Sequence, residues 1–290
     1  MLNQTQQYYD RMLSALGDKK RMLSHIVGKR VVDMGCGDGA LVSYLLAEGY
    51  DAYGIDAAPA SMEQVHAHPE LAERVYEAYA HEGSKFFEAG TVDTILASSL
   101  LHEVYSYGLP EGKPLSMEAR YETFRSWREL LPVGGRVIIR DGIVPERHDK
   151  LTSIRFKNGA RFEDGKDMVA EYLNRIPFRG TGMISDYRTV NLLQTGDEEF
   201  SGSFESVMEF LYTYNWGFGS YERETQELYG LFTLEEYKAN ADKHGFDVIE
   251  AFEYTQPGYK EFLEPKVSVW RKGEEIELPS TNALIVLQKR

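Results

Sequence analysis

The chain has 290 residues, 42% of them hydrophobic and 27% charged, which is enough for one large core and excludes a disordered or low-complexity protein. Its formal net charge of −14 argues against a general binder of polyanions, because phosphate neutralisation needs a basic surface. No run approaches the length of a spanning helix, the N-terminus lacks a signal-peptide pattern, and the single cysteine, Cys36, allows neither an internal disulfide nor a zinc cluster, so a reducing, cytoplasmic setting is the expectation.

The first 28 residues predict a helical cap, with Met12, Leu13, Leu16, Met22, Leu23 and Ile26 at helical spacing and a stop at Gly28. Arg30 to Met34 predicts a buried strand that runs into Gly35-Cys-Gly-Asp-Gly39, and the helix through Leu41, Leu45 and Leu46 stops at Gly49. A second strand covers Asp51 to Ile55 and ends in Asp56, a helix follows from Ala58 to about Ala67, and further strands are expected at 74–79 and 92–97. Met117 to Leu131 is amphipathic, with Tyr121, Phe124, Trp127, Leu130 and Leu131 on the buried side, and it stops at Pro132-Val-Gly-Gly135. Arg136 to Arg140 is then a fifth strand. This order specifies an α/β protein with a doubly wound, mostly parallel sheet.

Residues 143–230 break the pattern. They read as polar loops, a helix near Ser203–Tyr214 and an aromatic stretch in which Tyr212, Tyr214, Trp216, Phe218 and Tyr221 alternate with small residues. The alternation suits packing, or walls around a planar or cationic substrate. Between Glu146 and Lys166, the basic residues Arg147, Lys150, Arg155, Lys157, Arg161 and Lys166 face four acids, which reads as a solvated surface. Thr233-Leu-Glu-Glu236 is a capping box opening a helix to His244, and strands at Phe246–Phe252 and Ala283–Leu287 bring the sheet to seven. The expected organisation is a cap at 1–28, a catalytic domain at 29–142 and 231–290, and an insertion after the fifth strand at 143–230 that serves as lid and substrate-recognition region.

Asp33-Met-Gly35-Cys-Gly37-Asp-Gly39 carries the most information. Its glycines allow a tight strand-to-helix turn and close approach of a ligand to the backbone, while the following helix presents free N–H groups to an anionic group. Asp56 lies 17 residues beyond Gly39, near the spacing at which a carboxylate accepts from ribose hydroxyls. A nicotinamide or flavin dehydrogenase is the alternative at this point, although its fingerprint is Gly-x-Gly-x-x-Gly.

The loop's Gly-x-Gly-x-Gly spacing behind an aspartate resembles the class I S-adenosylmethionine-dependent methyltransferases. Gly54-Ile-Asp56 with Ala58-Pro-Ala-Ser-Met62, Thr91 to His102, and the segment from Trp127 through Pro132-Val-Gly-Gly135 to Ile139 are similar to further stretches of that family. The resemblance covers roughly residues 28 to 141 and the closing elements at 233–288. It implies a Rossmann-like fold and S-adenosylmethionine as cofactor, held by Asp33, Gly35, Cys36, Gly37 and Gly39 at its amino-acid part and by Asp56 at its ribose. Ala57, Met62, Ser98 and Ser99 fall at positions implied to line the same pocket. The family often places an acid after its third strand; here Tyr79-Ala-His81-Glu82 stands there, and His81 or Glu82 would meet the adenine. Cys36, with glycine neighbours and no base nearby in sequence, reads as a packing residue.

Methyl transfer from a sulfonium needs alignment first and a base only if the acceptor must lose a proton. His102, just past the fourth strand, reads as that base or as a wall residue, and Glu103 as its orienting partner or as a contact for a substrate amine. Tyr105, Tyr107, Arg140, Tyr214 and Trp216 are the substrate-contact candidates, with Arg140 and Asp141 expected to pair with each other. Tyr8 and Tyr9 would close over the cofactor by analogy with the family. A small or medium-sized metabolite methylated on O or N is the first expectation. An RNA or DNA methyltransferase touching phosphates through 146–166 is the second, and a non-catalytic cofactor-binding partner subunit the third. No metal ligand set is expected.

Overall fold

The structure, a computed structural model, describes residues 19–110, 112–144, 151–176, 190–230 and 232–290. Most of the expected N-terminal cap, including Tyr8 and Tyr9, lies outside those residues, as do Arg147 and Lys150; residues 19–23 are helical. In chain order, β1 (Arg30–Met34), α1 (Ala40–Ala47), β2 (Asp51–Asp56), α2 (Pro59–Val65), β3 (Val75–Glu77), β4 (Thr94–Ser98), α3 (Leu101–Tyr107), α4 (Met117–Leu130) and β5 (Arg136–Gly142) come first. Then follow β6 (Leu151–Phe156), β7 (Phe162–Glu163), β8 (Lys166–Asp167), α5 (Met168–Arg175), β9 (Leu192–Gly196), β10 (Glu199–Ser203), α6 (Phe204–Tyr214) and α7 (Tyr221–Glu224). The chain closes with α8 (Leu234–Lys243), β11 (Phe246–Tyr254), α9 (Tyr259–Leu263), β12 (Val267–Arg271), β13 (Glu274–Ile276) and β14 (Asn282–Lys289).

A seven-stranded sheet in the order β11-β14-β5-β4-β1-β2-β3 organises the fold. Each ladder from β5 to β3 is parallel. β14 runs against β5, since Lys289 bonds to Gly134 and Gly135 at one end while Ile143 donates to the Thr281 carbonyl at the other. The expected α/β class, with an insertion after the fifth strand, therefore holds. Its strands are nearly wholly apolar because helices cover both faces of a parallel sheet: Val31, Val32, Met34, Ile95, Leu96, Val137, Ile138 and Ile139 are all excluded from solvent. α4 begins where the Ser116 hydroxyl accepts from the Ala119 N–H, and it ends before Pro132. Among the described residues no helix is long and apolar enough to cross a membrane.

The described residues form two compact units: one runs to Asp141 and includes 235–252 and 283–290, and the other holds 142–234 and 253–282. This second unit adds strands to the polar loops and single helix expected over 143–230. Its strands build a five-stranded sheet, β13-β12-β6-β10-β9, antiparallel throughout its β12–β13, β6–β12, β6–β10 and β9–β10 ladders. It also corrects the domain boundaries, because 253–282 belongs with the insertion: β12 pairs along the length of β6.

The expected helix near Ser203 is α6, capped by the Ser203 hydroxyl, which accepts from the Ser206 N–H. It packs on β6 and β10 through an aromatic core of Phe156, Phe200, Phe210 and Tyr214, while Tyr172 of α5 meets Phe210 edge-on. Tyr214 is buried with its hydroxyl donating to the Ala160 carbonyl, so its expected place against a substrate is corrected to interior packing. The Tyr212 hydroxyl stands 2.5 Å from the Ile143 carbonyl and 2.6 Å from that of Thr281. Tyr212→Phe removes the donor from both, and we expect a loss of about 1–3 kcal/mol, measured as a melting temperature lowered by about 2–8 °C; an unchanged melting temperature contradicts this assignment.

Candidate active site

The parallel strands β1, β2, β4 and β5 point their carboxyl ends to one edge, the edge where open α/β sheets bind ligands. From β1 the chain turns through Gly35, Gly37 and Gly39, with φ of +72°, +58° and +77°, a conformation that β-carbons resist. The Gly35 and Cys36 N–H groups donate to the Ile55 carbonyl, which locks the loop to β2, and Gly39 opens α1. The Asp56 carboxylate accepts from the Gly37 N–H at 2.8 Å and from the Ala58 N–H at 2.8 Å. Loop and acid thus form one hydrogen-bonded cradle.

Asp33 lies beneath it, 1% exposed, and its Oδ2 has no hydrogen-bond partner. Burial first, then the nearby Asp56 and Asp38 carboxylates, push its pKa up to about 7, against the pull of Lys19. Such a group is costly unless something cationic meets it. Cys36 is buried and its thiol is pushed well up, chiefly by burial and then by Asp33 and Asp56, so it is a poor nucleophile. It fills the space over Gly54, where a β-carbon would stand 2.6 Å from its sulfur.

Beyond β2, Ala57 is exposed, whereas Met62, on α2, is 4% exposed. The His81 ring stacks on that of Tyr79, with centroids 5.9 Å apart. Glu82 is taken up by the Tyr79 N–H and by Lys85, which hold its pKa below the usual carboxylate range.

At the ends of β4 and β5, Ser98 is buried with an unpartnered Oγ, and Ser99 is exposed with a φ of +55°. That unusual serine backbone is held on both sides: its N–H donates to the Arg140 carbonyl at 2.6 Å, and the Arg140 guanidinium donates to its hydroxyl at 2.9 Å. His102, 5% exposed, places its Nδ1 at 2.6 Å from Asp141 Oδ1, and its backbone N–H donates to Asp141 Oδ2 at 3.2 Å. Asp141 thus holds the imidazole at Nδ1, while Glu103, exposed on α3, keeps a carboxylate oxygen within 4.8 Å of a His102 ring nitrogen. Tyr105 is buried, Tyr107 is on the surface, and Trp216 is half-buried in the second unit.

A glycine cradle on a parallel sheet, an acid at the end of β2 and a buried carboxylate ahead of the glycines define a nucleoside-cofactor site of the methyltransferase type. The chain matches the family described as "Methyltransferase domain" over residues 1–251 and belongs to it, as the resemblance to class I S-adenosylmethionine-dependent methyltransferases implies. The ubiquinone biosynthesis O-methyltransferase of Burkholderia pseudomallei (strain 1710b) is 34% identical over 159 residues, which is 50% of this chain and 68% of that protein. A solved S-adenosylmethionine-dependent methyltransferase from Mesorhizobium loti superposes with a TM-score of 0.51 at 14% identity, covering 95% of this chain and 97% of the other. One from Archaeoglobus fulgidus gives 0.50 at 11% identity, over 94% of this chain and 92% of the other. At such identities the likeness concerns the fold.

The residues present fit S-adenosylmethionine. The unpartnered, buried Asp33 oxygen suits an ammonium group, and the glycines leave room for an amino-acid backbone. Because the folded-state pKa of Asp33 is raised from 3.8 to about 7, stability carried by its protonated form is present below about pH 4 and is lost as pH rises through 7. Asp33→Asn should therefore raise the melting temperature of the cofactor-free protein, with a gap over wild type that opens between about pH 4 and 7 and exceeds about 4 °C above it. The same variant should bind S-adenosylmethionine at least tenfold more weakly at pH 7.5. Unchanged affinity, measured by calorimetry, contradicts the assignment.

Proposed function

We propose that the chain transfers a methyl group from S-adenosylmethionine to a hydroxyl oxygen of a small or medium-sized metabolite, with His102 as general base. The observation that carries this reading is the buried His102–Asp141 pair at the carboxyl edge of the sheet. The O-methyltransferase named among the relatives supports an oxygen acceptor.

S-adenosylmethionine, when bound, supplies a methyl group already activated for displacement. Asp33 and the glycine loop bind its amino-acid part, and Asp56 holds the ribose. Asp141 accepts the Nδ1 proton of His102 and so fixes the tautomer whose lone pair lies on Nε2. His102 then takes the proton of the acceptor hydroxyl at Nε2, and the Asp141 carboxylate stabilises the imidazolium that results. The same pair would deprotonate an ammonium acceptor, but a hydroxyl needs the base more, since its neutral oxygen is the weaker nucleophile. Exclusion of water around a buried pair strengthens the interaction.

Transfer of labelled methyl across phenols, enols and alcohols, with matching amines for comparison, identifies the acceptor class. On the best acceptor, His102→Gln should lower kcat by roughly 100- to 10,000-fold and leave cofactor affinity within about twofold. Wild-type activity should rise with pH as His102 loses its proton, and that acidic limb should vanish in the variant. A variant with near wild-type kcat, or amines methylated while no hydroxyl is, sinks the reading.

A further inference from the structure

The five-stranded sheet of the second unit turns one face to α6, where Phe156 of β6 meets Phe210 edge-on. Thr152 and Ile154 are buried on that same face, so Leu151, Ser153 and Arg155 point to the other. Pairing sets Trp270 of β12 opposite Ser153, and Glu199 of β10 opposite Arg155. Leu151, Ser153, Arg155, Glu199, Trp270 and Lys272 thereby line one groove of about 360 Å³. The Arg155 guanidinium lies 3.9 Å from the centre of the Trp270 ring, and its Nε donates to Glu199 at 2.6 Å, so that cation is compensated. The Trp270 indole N–H donates to the Ser268 hydroxyl at 2.8 Å, which leaves the ring as an apolar wall, together with Leu151, itself 66% exposed. Glu275, beside Trp270 on β13, is paired with Lys157. The Lys272 ammonium has no hydrogen-bond or ion-pair partner among the described residues. The groove therefore carries an uncompensated positive charge in a chain whose formal net charge is −14.

Lys272 also stands where the backbone disfavours it. Arg271 pairs with Glu274, so Lys272 and Gly273 form a two-residue turn, with φ of +54° and +83°. Such turns favour asparagine, aspartate or glycine at their first central position, because a β-carbon crowds the backbone there. A lysine in that place, lining a groove, points to a use for its charge.

We propose that the groove binds a small anion with a flat apolar body, an aromatic carboxylate or phosphate monoester. Its charge meets the Lys272 ammonium, and its ring lies against Trp270 and Leu151. Arg155, fixed by Glu199, steadies the Trp270 ring. The volume falls at the small end of ligand sites and suits one or two fused rings. The site is built from residues of the second unit alone, and it does not depend on the methyl-transfer reading.

Titration of 2-naphthoate, 2-naphthyl phosphate and the neutral isostere 2-naphthamide into the full chain tests this. The readout is the Trp270 indole resonance in nitrogen-15 NMR, assigned with Trp270→Phe, so that binding elsewhere in the chain is not counted. The better of the two anions identifies the head group and should shift that resonance with a Kd of about 1 mM or tighter. The amide should bind at least about threefold more weakly. Lys272→Asn should weaken the anion by the same factor of about three or more and leave the amide unchanged, whereas Lys272→Arg should stay within about twofold of wild type. The Lys272→Asn variant should melt no lower than wild type, because asparagine suits the turn, so its loss of binding is not a loss of folding. Equal binding of anion and amide, anion affinity unchanged in Lys272→Asn, or a Trp270 resonance that moves with none of the three ligands overturns the proposal. So does self-association of the wild type, seen by sedimentation, that Trp270→Ser abolishes, since the groove would then seat a second copy of the chain.

Discussion

Asp33 ends the first strand as a carboxylate that the fold buries and leaves with an unpartnered oxygen, and that unmet charge governs the arrangement around it. A side chain of this kind weakens the free protein as pH rises, and a cationic ligand at its unpartnered oxygen would offset that loss. The three left-handed glycines, the bond from Gly37 to Asp56 and the close contact of Cys36 with Gly54 all hold the backbone around that one carboxylate. In the role proposed for Asp33, stability is sacrificed for recognition of a cation, the ammonium of the cofactor's amino-acid part.

Another buried carboxylate, Asp141, meets a different treatment: it receives the imidazole of His102 and the backbone N–H of the same residue. The two acids lie in one sheet and are both about 1% exposed, yet their neighbours differ. Asp33 has Asp38 and Asp56 around it with Lys19 opposing them, whereas Asp141 holds an imidazole. In the proposed reading, binding falls to the β1–β2 end of the site and proton transfer to the β4–β5 end.

Much of this was legible in the residues because it is local. The strand–loop–helix at 30–47, the acid closing β2 and the Pro132-Val-Gly-Gly135 turn each state their conformation within a few positions. What escaped is what depends on distant pairing. β6 meets β12 more than a hundred residues later, and its pattern misleads, since Thr152 faces inward while Leu151 is exposed. β10 holds one apolar residue, Phe200, in Glu-Phe-Ser-Gly-Ser. The aromatic residues between 212 and 221 suit packing or a substrate wall by their spacing alone, and Tyr212 and Tyr214 use their hydroxyls on carbonyls of their own unit. Asp141 was visible as an acid at a strand end, but its partner follows from strand alternation together with the placement of α3.

Calorimetry of S-adenosylmethionine against 5′-methylthioadenosine, which keeps the nucleoside but lacks the amino acid, isolates the role proposed for the buried Asp33 carboxylate at the amino-acid end of the cofactor. The truncated ligand should bind at least about 100-fold more weakly. Affinity for the full cofactor should climb as pH rises through about 7 while that for the truncated ligand stays flat. Equal affinity for the two ligands, or the same pH dependence for both, would contradict it.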